Sequence, residues 1–549
     1  MPIDDSTLGL RIRPCHNPCS HLWGIVNGYH PECIALGEHM PRETFEWSLR
    51  VTEYSFEPLE SEQSRRQSYL TIVKDASLAV LCVAKGLPEE LRSMIDKLLD
   101  CRHWAIRPMV IPPKQVSPPN ISDIDISLGI WAQHVLLDGI RYISALSNTE
   151  KDDARICVLA ADKARDVDTL YVLHDHLGVR QMRFTAPGYD IESPGSNGSM
   201  GRTWWEAISL STKTVRVKSD GLKLRRITDS TRSAPTESHC ITWSLPMPRN
   251  QLDSLKIHPI RFTTLKSKGP DFLRMIPLKL NSKKITGISV CWKDKPIAIY
   301  GHKKGEKPPV YSNLEKCFED PVWIYTPLDH GEIIVSMWLS NSSHVSLTVE
   351  TNKGRVVTVG YYREPGPETR PDRQVLKATE GASRIYFDDS PMGIRYLATS
   401  SPPALGRAPS LKASSTIPRS EFAKSAIYTS ASLCNVSEVV PYYRADRDRD
   451  HPRITGLLFR YSDGTSASVG DFRLDGNSGP LQVGSSKNLF IGTIRHVDGY
   501  DISRIGVVPP AHRGSLSWLE WPWEGEIEWL FTYYRTRVYH SSRRSQELQ

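Results

Sequence analysis

Ile454-Thr455-Gly456-Leu457-Leu458-Phe459-Arg460-Tyr461-Ser462-Asp463-Gly464-Thr465-Ser466-Ala467-Ser468-Val469-Gly470 reads as a Gly-led strand, a turn and a second short strand. Its opening phrase is a branched apolar residue, a small residue and Gly before an alternating apolar run. That phrase returns at Ile285-Thr286-Gly287-Ile288-Ser289-Val290. Gly139-Ile140-Arg141-Tyr142-Ile143 and Gly393-Ile394-Arg395-Tyr396-Leu397 form a second matching pair, with looser copies at Gly178-Val179-Arg180-Gln181-Met182 and Ile502-Ser503-Arg504-Ile505-Gly506. Only Gly takes the positive φ of a tight turn or bulge without steric cost, so a strand entry with Gly at a fixed place predicts a repeated β unit.

The flanks agree. Runs at 130–137, 155–160, 179–184, 285–292, 296–300, 322–325, 333–339, 345–349 and 356–359 are short, rich in Val, Ile, Tyr and Trp, and bounded by Gly, Pro, Asn or Asp. With no helix-length segments between them they predict a mainly β chain of tandem antiparallel units, prism- or sandwich-like, behind a small α-rich N-terminal module. The expected division is a Cys/His segment at 1–50, a helical segment at 51–110, a first β-rich region at 120–280, and β-prism-like units at 281–400 and 421–540. The Pro- and Ser-rich stretch 401–420 is the expected flexible linker between the last two.

Composition narrows the partners little. The 549 residues carry 69 Lys and Arg against 62 Asp and Glu, a net charge of +7 that biases only weakly toward anions. The first residues contain two early Asp and no apolar core, so no secretory signal is expected there, and no apolar run reaches the length of a membrane span. The expectation is an intracellular protein with reduced cysteines and no membrane partner.

Three of the ten cysteines lie together in CHNPCSHLWGIVNGYHPEC, at 15–33. Cys15 and Cys19, then His30 and Cys33, form two ligand pairs, with His16 and His21 as alternates, and predict a structural Zn²⁺ closed by four protein ligands. Further on, Leu87, Leu91, Met94, Ile95, Leu98 and Leu99 recur at helical spacing behind Pro88, which suits a first helical turn. The segment LPEELRSMIDKLL resembles the opening helix of an F-box. That resemblance implies a face of Leu87, Leu91 and Ile95 that docks a ubiquitin-ligase adaptor.

The β repeats resemble jacalin-type β-prisms, on Gly331-Glu332-Ile333-Ile334 and Gly456-Leu457-Leu458-Phe459-Arg460-Tyr461. That resemblance implies glycan binding in loops at one end of a prism. The family's sugar loop carries Gly-x-x-x-Asp, however, and no Gly in this chain has Asp four residues later. The chain as a whole is similar to a group of filamentous-fungal proteins with a Cys/His start, an F-box-like helix and a β-rich remainder, on YVLHDHLGVR at 171–180, Ile285 to Trp292 and Gly393-Ile394-Arg395-Tyr396. No activity comes with that likeness.

Two further clusters carry chemistry. On a strand, His174 and His176 would share a face and could bind a metal, with Asp175 turned away. Trp518, Trp521, Trp523 and Trp529 interleave with Glu520, Glu524, Glu526 and Glu528, so Trp521 and Trp523 could stack on sugar rings while Glu524 binds hydroxyls; a Trp-rich sheet edge with solvated Glu is the plainer reading. The basic residues around Lys213 to Arg226 lack interleaved aromatics, which argues against nucleic acid. Phosphate-loop, dinucleotide, nucleophile-elbow and zincin motifs are all missing. The sequence therefore predicts a non-enzymatic interaction protein, an F-box-like adaptor whose β domains bind a protein or glycan, or else a carbohydrate-binding or carbohydrate-active protein using the Trp/Glu block.

Overall fold

Short runs of β-branched and aromatic residues become antiparallel strands along the chain, and they gather into two compact units. The computed structural model describes most of residues 118–541, with its longest breaks at 188–202, 261–271 and 410–425, and a scatter of positions between 47 and 88. The first unit comprises Met1–Asp253 with Lys266–Arg274; the second comprises Ser254–Leu265 with Met275–Gln549.

In the first unit, three sets of strands surround one core. Asn120–Asp125 pairs with Thr214–Ser219, which pairs with Leu224–Asp229. Ile130–Leu137 lies between Ile140–Ser147 and Ile156–Leu159, and Thr169–His174 between Val179–Thr185 and Trp204–Ser209. Alternate residues turn inward, as the two-residue period of a strand requires. Ile130, Ala132, Leu170, Val172, Val215 and Ile227 are among those that make the core.

Each set contributes a hairpin whose tip opens on Asp: Asp138-Gly139, Asp175 to Gly178, and Asp220 to Lys223. The last two close in the same way. The Asp175 carboxylate accepts the amides of Leu177 at 2.8 Å and Gly178 at 3.2 Å, and that of Asp220 accepts those of Leu222 and Lys223, both at 2.9 Å. These are Asx turns, in which a short carboxylate satisfies amides that the ladder leaves behind. Helical positions from the N-terminal region cover the tips. Trp47 and Val51 pack with Ile140, Leu177 and Leu222. The Ser55 amide donates to the His176 carbonyl at 2.8 Å, Arg65 to the Asp138 carbonyl at 3.2 Å, and the Lys223 ammonium to the Val51 carbonyl at 2.5 Å. Lys223 is fully buried, and burial pulls its pKa down to about 8 even with Asp220 at 2.7 Å. Removing Asp220 would strand that charge at a cost of about 3–5 kcal/mol.

The second unit holds more sheets. Ile285–Lys293 lies between Lys295–Lys303 and Val322–Pro327; Arg453–Tyr461 lies between Val436–Arg444 and Ser466–Gly470. A five-stranded sheet runs Val356–Gly360, Val345–Thr351, Ile334–Asn341, Asp372–Lys377 and Ala404–Gly406, and a six-stranded sheet begins with Ile427–Ser432 beside Glu526–Phe531. One apolar cluster joins Val290, Trp292, Ile385, Phe459, Ile491 and Trp529, so regions 281–400 and 421–540 share a core. Three residues of the stretch expected to be a linker, Ala404–Gly406, form an edge strand on Asp372–Lys377.

The Ile-Thr-Gly phrase is a β-bulge. Ile285 pairs with Lys303 and Gly287 with His302, which leaves Thr286 as the extra residue. Ile454 pairs with Tyr443 and Gly456 with Tyr442, leaving Thr455. Each bulged Thr offers its carbonyl to the residue that follows a neighbouring strand of its sheet: Leu328 donates to Thr286 at 3.0 Å and Asp471 to Thr455 at 2.8 Å. Ser144 and Ser503 are skipped in the same manner. A bulge adds one residue and bends the strand, and a small hydroxyl residue fills that place here. The role expected of Gly is corrected in part. Gly139 and Gly393 do have positive φ, at 75° and 86°. Gly287 and Gly456 do not, and are needed instead for close approach.

Candidate functional site

The sequence candidates fall in different places. Cys15, Cys19, His30 and Cys33, with His16 and His21, lie outside the described residues, as do Leu87, Leu91 and Ile95. Among the described residues, no group of three or more His, Cys, Asp or Glu is placed to hold a metal ion, and no helix is long and apolar enough to cross a membrane. His174 and His176 do not share a strand face. His174 closes Thr169–His174, while His176 sits in the turn with the Tyr54 ring edge-on at 4.7 Å. Burial lowers the His174 pKa to about 4, assisted by Arg226, so at neutral pH its contact with Glu206 at 3.8 Å is not an ion pair. Asp175 is spent on its turn and on the Tyr142 hydroxyl at 2.7 Å.

Much of the basic run is likewise committed internally, while Lys218 is exposed. The Lys213 ammonium donates to the Ala164 and Val167 carbonyls at 3.1 and 2.5 Å, Arg216 pairs with Asp123 at 2.9 Å, and Arg225 donates to the Leu177 carbonyl at 2.6 Å. In the Trp/Glu block, Trp521 is buried in the core beside His540, Trp523 is partly buried against that core, and Glu524 is exposed. The Trp521 faces are covered by neighbours, which leaves none for a sugar ring.

The second unit contains a cavity of about 250 Å³ that no single stretch of sequence announces. Its walls come from Val322–Pro327, Val356–Gly360, Ile427–Ser432 and Ser466–Gly470, and each of these strands lies at the end of its sheet. An edge strand has backbone donors and acceptors with no neighbouring strand to take them, so four edges brought together make a polar enclosure. Side chains supply part of the missing bonding. Ser468 donates its hydroxyl to the Tyr325 carbonyl. The Gly470 amide donates to the Thr429 hydroxyl at 2.9 Å, and Arg355 donates to the Ser466 carbonyl at 2.7 Å.

The lining is rich in hydroxyls: Thr326, Thr358, Thr429, Ser430, Ser432 and Ser468, with the phenol of Tyr428. Tyr428 donates to Glu528 at 2.8 Å, and burial with that carboxylate pushes the phenol pKa up. Tyr325, Ile324, Val357 and Ala431 provide apolar surface between them. Two charged residues line the cavity, Arg355 and Glu526. Arg355 is held by Asp329 at 2.7 Å and Glu332 at 3.0 Å. Hydroxyls that both donate and accept, set among apolar patches, suit a ligand with alternating hydroxyl and C–H surface.

Neither the protein-family models nor the curated proteins compared with this chain give a match.

Proposed function

We propose that the chain is a binding protein whose second unit takes one small polyhydroxylated ligand, of the saccharide class, in the cavity walled by four edge strands. The observation that carries this reading is the lining itself. Ser, Thr and Tyr hydroxyls and strand-edge backbone enclose about 250 Å³, a little below the roughly 300 Å³ at which drug-sized pockets begin. That size suits a single sugar ring. The reading relocates the glycan expectation from Trp521, Trp523 and Glu524 to Ser430, Ser468 and Thr429. The scaffold is prism-like in this view, a reading supported in the first unit by three sets of strands, two of whose hairpins share one tip design.

Titration of the full chain with monosaccharides, followed by calorimetry, tests the proposal. Ser430→Val and Ser468→Val should each weaken binding about tenfold, the loss of one or two buried hydrogen bonds. Absence of binding to any neutral, amino or acidic sugar would overturn it.

A second role in the same protein is supported by the covered tips of the first unit, which fix the N-terminal region to the β scaffold. That anchorage suits an adaptor in which Leu87, Leu91 and Ile95 engage a ligase component. Capture of such a component should be lost on Leu91→Asp with Ile95→Asp; capture that persists would refute it. A structural Zn²⁺ held by Cys15, Cys19, His30 and Cys33 belongs to the same proposal, and elemental analysis should find about one equivalent.

A further inference from the structure

One end of the cavity is tied together through Arg355. This residue begins the wall that continues through Val356, Val357 and Thr358, and its guanidinium donates to the Ser466 carbonyl at 2.7 Å, beside the lining residues Ala467 and Ser468. Asp329, just past the wall formed by Val322–Pro327, completes the tie. Its carboxylate accepts Arg355 at 2.7 Å and the Ser466 amide at 2.9 Å. Three of the four edge strands are thereby joined at that end, and the guanidinium reaches from one wall of the cavity to another.

The guanidinium is held in place by more than this tie. Its Nε meets Glu332 at 3.0 Å, and Glu332 is itself fixed by the Asp329 amide at 3.0 Å and the Thr351 hydroxyl at 2.7 Å. Lys353 stands near enough to favour the charged form of both Asp329 and Glu332, so the charge of Arg355 belongs to a local balance of cations and carboxylates. What Arg355 can offer an occupant is therefore direction. A guanidinium carries five N–H groups in one rigid plane, one on Nε and two on each terminal nitrogen. Three of them are taken, one on each nitrogen, by Glu332, Asp329 and Ser466. One N–H on each terminal nitrogen is left. Donors already held in position lose little freedom when a ligand arrives, which favours binding.

Resting on the saccharide reading above, we infer that Arg355 orients the sugar, its two remaining N–H groups donating to neighbouring oxygens of the ring while Ser430 and Ser468 meet hydroxyls farther along the cavity. A site built to donate to a particular hydroxyl discriminates against an analogue that lacks it, because the donor is then left without an acceptor. Arg355 is in this way the residue that sets which hydroxyl pattern is accepted.

Calorimetric titration of the full chain with glucose, glucosamine and glucuronate selects the tightest of the three, and analogues of that sugar lacking one ring hydroxyl each then test the inference. In the wild type, at least one analogue should bind about tenfold more weakly than its parent. Arg355→Lys should weaken the parent sugar by about that factor and that analogue little, closing the gap between them to about twofold, since an ammonium does not present the planar fork. A retained cooperative thermal transition reports folding, and Arg355→Gln makes the same comparison if the lysine variant does not fold. A wild type that binds every analogue as tightly as the parent would overturn the inference alone. So would a loss on Arg355→Lys that is one common factor for the parent and all its analogues, because the guanidinium would then only brace the wall. Failure of every neutral, amino and acidic sugar to bind would overturn the saccharide reading and this inference with it.

Discussion

The two Ile-Thr-Gly bulges are built alike and packed differently. Each skips a Thr and each Thr carbonyl accepts an amide from just beyond a neighbouring strand. Opposite Gly287 stand His302 and Pro327; opposite Gly456 stand Tyr442 and Gly470. A Cβ on Gly287 would meet the Tyr325 ring at 2.5 Å, whereas one on Gly456 would meet the Asp471 carbonyl oxygen at 2.5 Å and its carbon at 2.7 Å. The first neighbour is a side chain that can rotate; the second is backbone fixed by a sheet. One bulge thus leaves room for an aromatic wall of the cavity, and the other seals two backbones together.

The largest effect that could break this comparison is Gly456→Ala. It should cost about 4 kcal/mol or more and unfold much of the second unit, as measured by urea denaturation, because the backbone of Val469 and Asp471 must move. A smaller loss than that of Gly287→Ala would refute the distinction between the two sites.

Next in size is the loss of stability in acid that the first bulge should show through His302; at the second, burial raises the Asp471 carboxyl, which acts in the opposite sense. Burial pulls the His302 imidazole down to about 4 from 6.5, so between those values the unfolded chain holds a proton that the folded chain refuses. The His302 contribution is therefore complete above pH 6.5 and fades as pH falls toward 4, by up to about 3 kcal/mol. His302→Gln should flatten that part of the stability profile, while Tyr442→Phe, at the matching place, should leave the slope unchanged. His174 adds a similar slope to the first unit, so the readout is the difference between variants.

Gly287→Ala should cost about 2 kcal/mol, and less in a Tyr325→Leu background where the obstructing ring is gone; a double-mutant cycle measures the coupling. Last, Thr455→Val should cost about 1 kcal/mol, since the buried hydroxyl donates to the Asp471 carbonyl at 3.0 Å. Thr286→Val should cost less, its bond to the His302 carbonyl being 3.4 Å long.

That both phrases open matching strands was legible, because the phrase itself recurs in the sequence. The difference between them was not. It depends on Tyr325, which approaches from a strand with no sequence mark of its pairing, and on the place Asp471 takes just past the second strand of the hairpin. The cavity was hidden for the same reason, since its walls come from 324–327, 355–358, 428–432 and 467–468, each the edge of a separate sheet. One signal did exist. Ser430, Ser432, Ser466 and Ser468 occupy strand positions where Val or Ile would be the stronger choice, and such polar substitutions hint at a surface that is enclosed yet wet. In the Trp/Glu block, interleaving says nothing about which side of a strand is covered: Glu528 and Trp529 are neighbours and both are buried.

The cover on the first unit's hairpin tips also sets an order of events during synthesis. Trp47 and Val51 leave the ribosome early, yet Lys223, which binds the Val51 carbonyl, follows 172 residues later. At about 5–20 residues per second the chain carries those apolar side chains unplaced for roughly ten to thirty seconds. Over that interval a nascent chain would depend on chaperones to shield a segment whose docking place has not yet been made.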